Sequence, residues 1–297
     1  VDAVAALRSF NRSFTTRVGV LSDSYLGGGR PLGPARVLFE LGAGPERVGE
    51  LRRRLGLDSG YLSRMLRGLE ADGLVVVERD QSDGRRRVAR LTGSGRREWR
   101  RLDQRSERAA AMLTDALSPS QRTRLADALG IADHLLRVAS IRFEPVEITS
   151  PAARHATSAY FAELDQRFSG GFDPGPGLVA SDATMMRPPH GGFLVARNDE
   201  EVIGCGGVQR VDEATAEIKR MWIHQDWRSD GLGTRLLVAL EAMAAKRGHR
   251  RVVLDTNRAL TEAIRLYGRC GYDAIPRYND NPYAHHWFAK DLPAGTS

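Results

Sequence analysis

The chain has 297 residues, 41% of them hydrophobic and 27% charged, with a formal net charge of +7. That composition excludes a disordered or fibrous chain, and the length suffices for two domains with ordinary cores. The longest run of leucine, isoleucine and valine, Leu74-Val75-Val76-Val77, is far too short to span a bilayer.

Two cysteines, Cys205 and Cys270, have no metal-site spacing, and no leader-like pattern opens the chain. A reducing, cytoplasmic setting is expected, with no metal and no membrane partner. The charge is unevenly divided. Residues 1–140 carry 25 Arg against 17 Asp plus Glu, and residues 141–297 carry 19 Lys plus Arg against 20 Asp plus Glu. The excess positive charge sits in the first half, where a polyanion-binding module would need it.

In chain order, residues 2–26 form one amphipathic segment, with Val4, Leu7, Phe10, Phe14, Val18 and Leu21 at spacings of three and four. Gly27-Gly28-Gly29 ends it. Short helices are expected over 34–41, 46–55 and 58–71, the last capped by Asp58 or Ser59. The second and third are joined by a tight turn, the helix-turn-helix plan. Two strands, 74–80 and 87–91, then flank a tip with the turn pair Asp83-Gly84 and a run of arginines. Long helices over 94–117 and 119–139 follow, each with an apolar stripe that suits a homodimer interface.

A boundary near Glu144-Pro145 separates domain 1–142 from domain 143–297. The second domain is expected to run as a strand near 146–148, a helix over 151–168, and a loop through Asp173-Pro174-Gly175-Pro176-Gly177 too rich in breakers for regular structure. Paired strands 192–197 and 201–210, a central strand 214–224, a helix from Thr234 to Ala245 and a buried strand 251–255 follow. Strands over 272–276 and 283–289 close the sheet. Between the central strand and its helix lies Arg228-Ser229-Asp230-Gly231-Leu232-Gly233. Glycines at a helix start let the backbone approach a ligand, and free N–H groups there favour an anion such as a pyrophosphate.

Two resemblances rest on these residues. The run from Leu51 to Gly95 resembles the winged helix-turn-helix core of the MarR regulators. That likeness implies an α-rich, dimeric, duplex-DNA-binding first domain. Ser59, Tyr61, Ser63, Arg64 and Arg67 would face a major groove, and Arg85, Arg86 and Arg87 would carry the wing, with Asp83 orienting a neighbouring arginine. A small-molecule effector would be in keeping.

The Arg-x-x-Gly-x-Gly turn, with the later stretch from Asn257 through Tyr267 to Gly271-Tyr272, resembles the GNAT N-acetyltransferases. This implies an α/β fold with a mixed sheet, and acetyl-CoA as co-substrate. The thioester arm would meet Met221, Trp222 and Ile223, and the pyrophosphate Arg228, Ser229, Asp230, Gly231, Leu232, Gly233 and Thr234. Asn257 would touch the arm or brace the helix. Tyr267 would protonate the thiolate. Glu217, eleven residues before Arg228 as in the histone acetyltransferases of the family, would be the base.

The combined expectation is a regulator that also acetylates a small amine. A protein-lysine acetyltransferase under winged-helix control, and a non-catalytic acyl-CoA sensor, are the alternatives. The protein would work in a bacterial cytoplasm, at the nucleoid when DNA-bound. His285 and His286, adjacent on a strand, point to opposite faces and cannot share a metal; Tyr283, His285 and Trp287 would share one face beside the acceptor.

Overall fold

The computed structural model describes residues 2–18, 24–80, 84, 86–199, 201–228 and 230–293. They form two compact units that divide between Asp127 and Ala128.

The first unit contains helices α1 (Ala3–Arg17) and α2 (Leu32–Gly42), the two-residue strand β1 (Glu46–Arg47), helices α3 (Val48–Arg54) and α4 (Ser59–Ala71), strands β2 (Val75–Arg79) and β3 (Arg87–Leu91), helix α5 (Gly93–Thr114), and the start of α6 (Pro119–Ser140). The expected helix over 46–55 splits, because Glu46 and Arg47 pair with Ala89 and Val88 before α3 begins. α2 starts earlier than expected, after Pro31 in an extended conformation. Leu21 lies outside the described residues.

Local chemistry sets the ends of the helices. The Asp58 carboxylate accepts the Tyr61 N–H at 2.8 Å and so caps α4. The Thr92 hydroxyl accepts the Gly95 N–H at 3.0 Å and donates to the Gly73 carbonyl at 2.6 Å, which ties the start of α5 to the strand hairpin. α4 buries Leu62, Met65, Leu66 and Leu69 in a core with Leu38, Leu41 and Leu51. Its other face is left to solvent. On α1, Val4, Leu7, Phe10 and Phe14 are all exposed.

The second unit contains the end of α6, then β4 (Arg142–Val146), α7 (Pro151–Arg167), α8 (Gly175–Met185), β5 (Gly191–Asn198), β6 (Glu201–Arg210), β7 (Thr215–Ile223), α9 (Leu232–Lys246), β8 (Arg251–Thr256), α10 (Thr261–Arg269), β9 (Asp273–Ala274) and β10 (His286–Asp291). The sheet order is β4-β5-β6-β7-β8-β10-β9. Only the β7–β8 pair is parallel, so the sheet is mixed.

Four expectations are corrected by the structure. The first strand lies at 142–146, and it carries Pro145, which is tolerated because β4 pairs with β5 alone at the edge of the sheet. The breaker-rich loop becomes α8, since proline suits a first helical turn. The last strand begins at His286, so Tyr283 and His285 lie off it and share no strand face with Trp287. The division between units falls within α6 rather than after it. The Arg235 guanidinium on α9 donates to the carbonyls of Val138 at 2.7 Å and Ile141 at 2.9 Å, and both residues join the second core.

Two irregularities bend β7 away from a regular strand. β7 pairs with β8 only from Thr215 to Glu217, opposite Arg251 to Val253; beyond that the strands part. On its other side the register with β6 shifts between Cys205 and Gly207, and Arg220 there has φ +58°. A non-glycine residue in this region is strained, and its surroundings must hold it. Asp182 on α8 does so through a bidentate pair, 2.7 Å to Nε and 3.2 Å to a terminal nitrogen, with both side chains 8% exposed. Asp182→Ala leaves a buried guanidinium unpaired. The second unit should lose about 3–5 kcal/mol, read by urea unfolding followed through Trp222 and Trp227.

Candidate functional site

Where β7 leaves β8, a cavity of about 700 Å³ opens. Its walls come from β7 (Met221, Trp222, Ile223), from the start of α9 (Gly231, Gly233, Thr234) and from α10 (Leu266, Tyr267). Gly231 caps α9 with φ +74°, a conformation that suits glycine, and the space where a Cβ would stand holds no atom within 4 Å. The first intrahelical bond of α9 runs from the Arg235 N–H to the Gly231 carbonyl. The N–H groups of Leu232, Gly233 and Thr234 therefore have no partner within the helix and carry its positive pole.

Of the other residues expected to hold a cofactor, Arg228 lines the cavity. Ser229 lies outside the described residues. Leu232 is buried in the core, so only its backbone reaches the turn. Asp230 points instead to α6, where its carboxylate meets His134 Nε2 at 2.8 Å. Asn257 uses its side chain as a brace, donating to the Tyr283 carbonyl at 2.7 Å and accepting the Ala259 N–H at 2.9 Å.

A charge network closes one wall. Glu163 on α7 accepts from Arg228 at 2.5 Å and from Trp222 Nε1 at 2.8 Å, while Arg228 Nε donates to the Ile223 carbonyl at 2.9 Å. Burial opposes ionisation of Glu163, but its hydrogen bonds from Arg228, Trp222 and Arg167 outweigh that and hold its carboxyl below the ordinary range. The Arg167 guanidinium grips Glu262 at 2.9 Å and, against partial burial, draws its carboxyl down to about 2.

Arg265 and Arg269 also line the cavity, and among the described residues neither has a carboxylate partner. Sequence reading missed them. The signal was there: two arginines four apart on the helix that carries Tyr267 share one face.

A second cavity, about 500 Å³, adjoins the first and shares Tyr160, Leu164, Met221, Leu260, Ala263 and Tyr267 with it. Tyr267 thus stands at the junction. Burial pushes its phenol well above the ordinary range, so the hydroxyl keeps its proton at any physiological pH. Tyr160 is pushed up to about 12, also by burial. Burial likewise raises the Cys205 thiol, which donates to the Arg220 carbonyl and is no nucleophile.

Glu217, the expected base, lies on β7. It is 4% exposed and lines neither cavity. Its carboxylate accepts from Gln209 at 2.7 Å, from the Tyr278 hydroxyl at 2.8 Å and from Asn279 at 3.2 Å, with Lys219 at 3.5 Å. The 278–281 loop covers it. The carboxylate that does line the second cavity is Asp255, at the end of β8.

In the first unit, Ser59, Tyr61, Arg64 and Arg67 occupy the exposed face of α4, and Ser63 is half-buried there. The Arg64 guanidinium lies 5.9 Å from the Tyr61 ring centroid. Arg86 and Arg87 are exposed at the base of the hairpin. Asp83 and Arg85 lie outside the described residues.

Comparison with known proteins agrees with this division. Residues 157–272 match the acetyltransferase (GNAT) family, and residues 29–86 match the MarR family. The IAA acetyltransferase of Azospirillum brasilense is 32% identical over 111 residues, covering 37% of this chain and 72% of that protein. Probable N-acetyltransferase 14 of Xenopus tropicalis is 35% identical over 88 residues, 29% of this chain; the match spans 43% of that relative's length. A crystal structure of an acetyltransferase of the GNAT family from Staphylococcus aureus superposes with a TM-score of 0.45 at 16% identity, covering 52% of this chain and 100% of that one.

The Glu262 carboxyl supplies a pH test. Its folded pKa, about 2, lies below the ordinary 4.5, so its contribution to stability is fully present above 4.5 and lost as pH falls towards 2. In urea unfolding, wild type should exceed Glu262→Gln at pH 7, and the gap should narrow below pH 4.5. A gap that persisted unchanged at pH 3 would contradict the assignment.

Proposed function

The chain belongs to the acetyltransferase (GNAT) family, and we propose that it transfers an acetyl group from acetyl-CoA to an amine while its MarR-like segment binds duplex DNA. The observation that carries the first part is the cavity between the parted strands and the open start of α9. Acetyl-CoA fits it by the chemistry of its parts. The N–H groups of Leu232 to Thr234 suit a pyrophosphate, with Arg228, Arg265 and Arg269 nearby for charge. Gly231 and Gly233 present little bulk; a Cβ at Gly233 would meet only the flexible Leu266 side chain, at 3.3 Å. The edge of β7 from Met221 to Ile223, no longer paired with β8, offers backbone groups to an amide-bearing arm.

Acetyl-CoA supplies the activated carbonyl when bound. The chain supplies position and protons. Tyr267 stands between the two cavities with its proton retained, which suits donation to a departing thiolate. The exposed Arg64, Arg67, Arg86 and Arg87 suit duplex DNA, and the exposed apolar stripe of α1 suits a second copy of the chain. Such a protein represses or tunes genes while modifying a small amine in the cytoplasm.

Two measurements test the reading. Tyr267→Phe should slow acetyl transfer by roughly 10²–10⁴-fold with acetyl-CoA affinity by calorimetry unchanged; a wild-type rate would remove Tyr267 from the reaction. For DNA, affinity for a selected genomic fragment should fall by about 10³–10⁵ between 50 and 200 mM salt if 6–10 phosphates are neutralised. Arg64→Ala should weaken it further without altering acetyl-CoA binding. Salt-independent or absent DNA binding would contradict the regulatory half.

A further inference from the structure

Resting on the acetyl-transfer reading, we propose that the second cavity takes a compact primary amine with an apolar, ring-sized body and no carboxylate, and that Asp255 holds its ammonium group. Behind it lies a carboxylate that the protein leaves without a cation.

Asp255 is half-buried at the end of β8 and faces the cavity. One carboxylate oxygen accepts from Asn279 Nδ2 at 2.6 Å and the other from Asn281 Nδ2 at 2.8 Å. Both donors are neutral. Among the described residues no cation pairs with Asp255, and a carboxylate accepts about four hydrogen bonds, so capacity remains. The amide orientation is settled, because the Trp287 indole N–H, a donor only, points to Asn279 Oδ1 at 3.0 Å. Asn279 Nδ2 therefore shares its hydrogens between Asp255 and Glu217.

Three other charges on the cavity wall have an oppositely charged partner. Arg220 is locked to Asp182, Lys219 lies beside Glu217, and Asp280 pairs with Arg277 at 2.9 Å. Asp173 also has no cationic partner among the described residues, its carboxylate accepting the Gly175 N–H at 2.8 Å, but it is exposed, whereas Asp255 is half-buried. Asp255 is thus the half-buried carboxylate of this wall that has no cation within ion-pairing distance among the described residues. It favours a cation, and the described cations that line this cavity, Lys219 and Arg220, are already paired and so not free for a substrate carboxylate. Phe168, Phe172 and Tyr283 form the apolar wall, with ring centroids 4.8 to 6.0 Å apart. The cavity's roughly 500 Å³ suits a small molecule.

The chemistry balances without a further reactant. One ammonium proton passes to an Asp255 oxygen, which frees the nitrogen lone pair. Nitrogen forms its bond to the acetyl carbon as the carbon–sulfur bond breaks, and the sulfur takes the Tyr267 proton. The second nitrogen proton restores the phenol. Asp255 then releases its proton to solvent. Glu217 becomes a positioning residue: it holds Tyr278 and Asn279, and through Asn279 the carboxylate that takes the substrate's proton.

The test compares 2-phenylethylamine, phenylalanine and a lysine-containing peptide as acceptors for wild type, Asp255→Asn and Glu217→Gln. Wild type should favour 2-phenylethylamine over phenylalanine by at least about tenfold in kcat/KM, and over the peptide. Asp255→Asn keeps the volume but sets an amide donor against Asn279 or Asn281, so its melting temperature should fall modestly; kcat/KM for 2-phenylethylamine should drop by about 10²–10⁴-fold with acetyl-CoA affinity unchanged. Its residual rate should rise with pH as free amine accumulates. Glu217→Gln should lose less and keep the wild-type pH profile. An unchanged Asp255→Asn rate overturns the assignment, as does preferred turnover of the peptide or of phenylalanine; both outcomes leave acetyl transfer standing. Failure to bind acetyl-CoA at all would sink the underlying reading instead.

Discussion

Everything at the site depends on the departure of β7 from β8. A parallel pair that stayed together would satisfy the backbone of β7 along its length and leave no room between the strands. Here pairing stops at Glu217 and Val253. The residues from Met221 to Ile223 consequently border open space, and the turn after them delivers the start of α9 to the same opening. The register shift against β6 and the left-handed Arg220 keep β7 bent, and the Asp182 pair holds that bend from α8.

The second feature is how charge is distributed around the opening. On the α7 and α10 side, Glu163 and Glu262 are tied to Arg167 and Arg228, which fixes that wall. Arg265 and Arg269 remain for an anion. On the β8 side the arrangement is reversed: the cations are compensated and one carboxylate is held by amides alone. Two adjoining cavities of opposite electrostatic preference, joined at Tyr267, fit an anionic donor meeting a cationic acceptor.

Much of this was legible in the residues. Gly231 and Gly233 before an apolar helical repeat marked the start of α9, and Tyr267 followed from its motif. The cap at Asp58 and the alternation of buried Leu62, Met65 and Leu66 with exposed Arg64 and Arg67 marked α4. What escaped has a physical reason. Strand periodicity placed Glu217 on the face shared with Lys219 and Met221, but nothing in that periodicity announced that residues 278–281, some sixty positions later, would cover it. Asp255 was read as part of a buried strand, because its role depends on Asn279 and Asn281 rather than on its neighbours in sequence. α8 was hidden because proline and glycine mark helix starts and loops alike.

If the parted strands and the start of α9 hold the acyl donor, their backbone groups must be covered when it binds. Backbone amide hydrogen exchange, with and without acetyl-CoA, tests this most directly. Protection should appear at Met221 to Ile223 and at Gly231 to Thr234, with the helix at Ser59–Ala71 keeping its own exchange rate. Strong binding without protection of either segment would contradict the account.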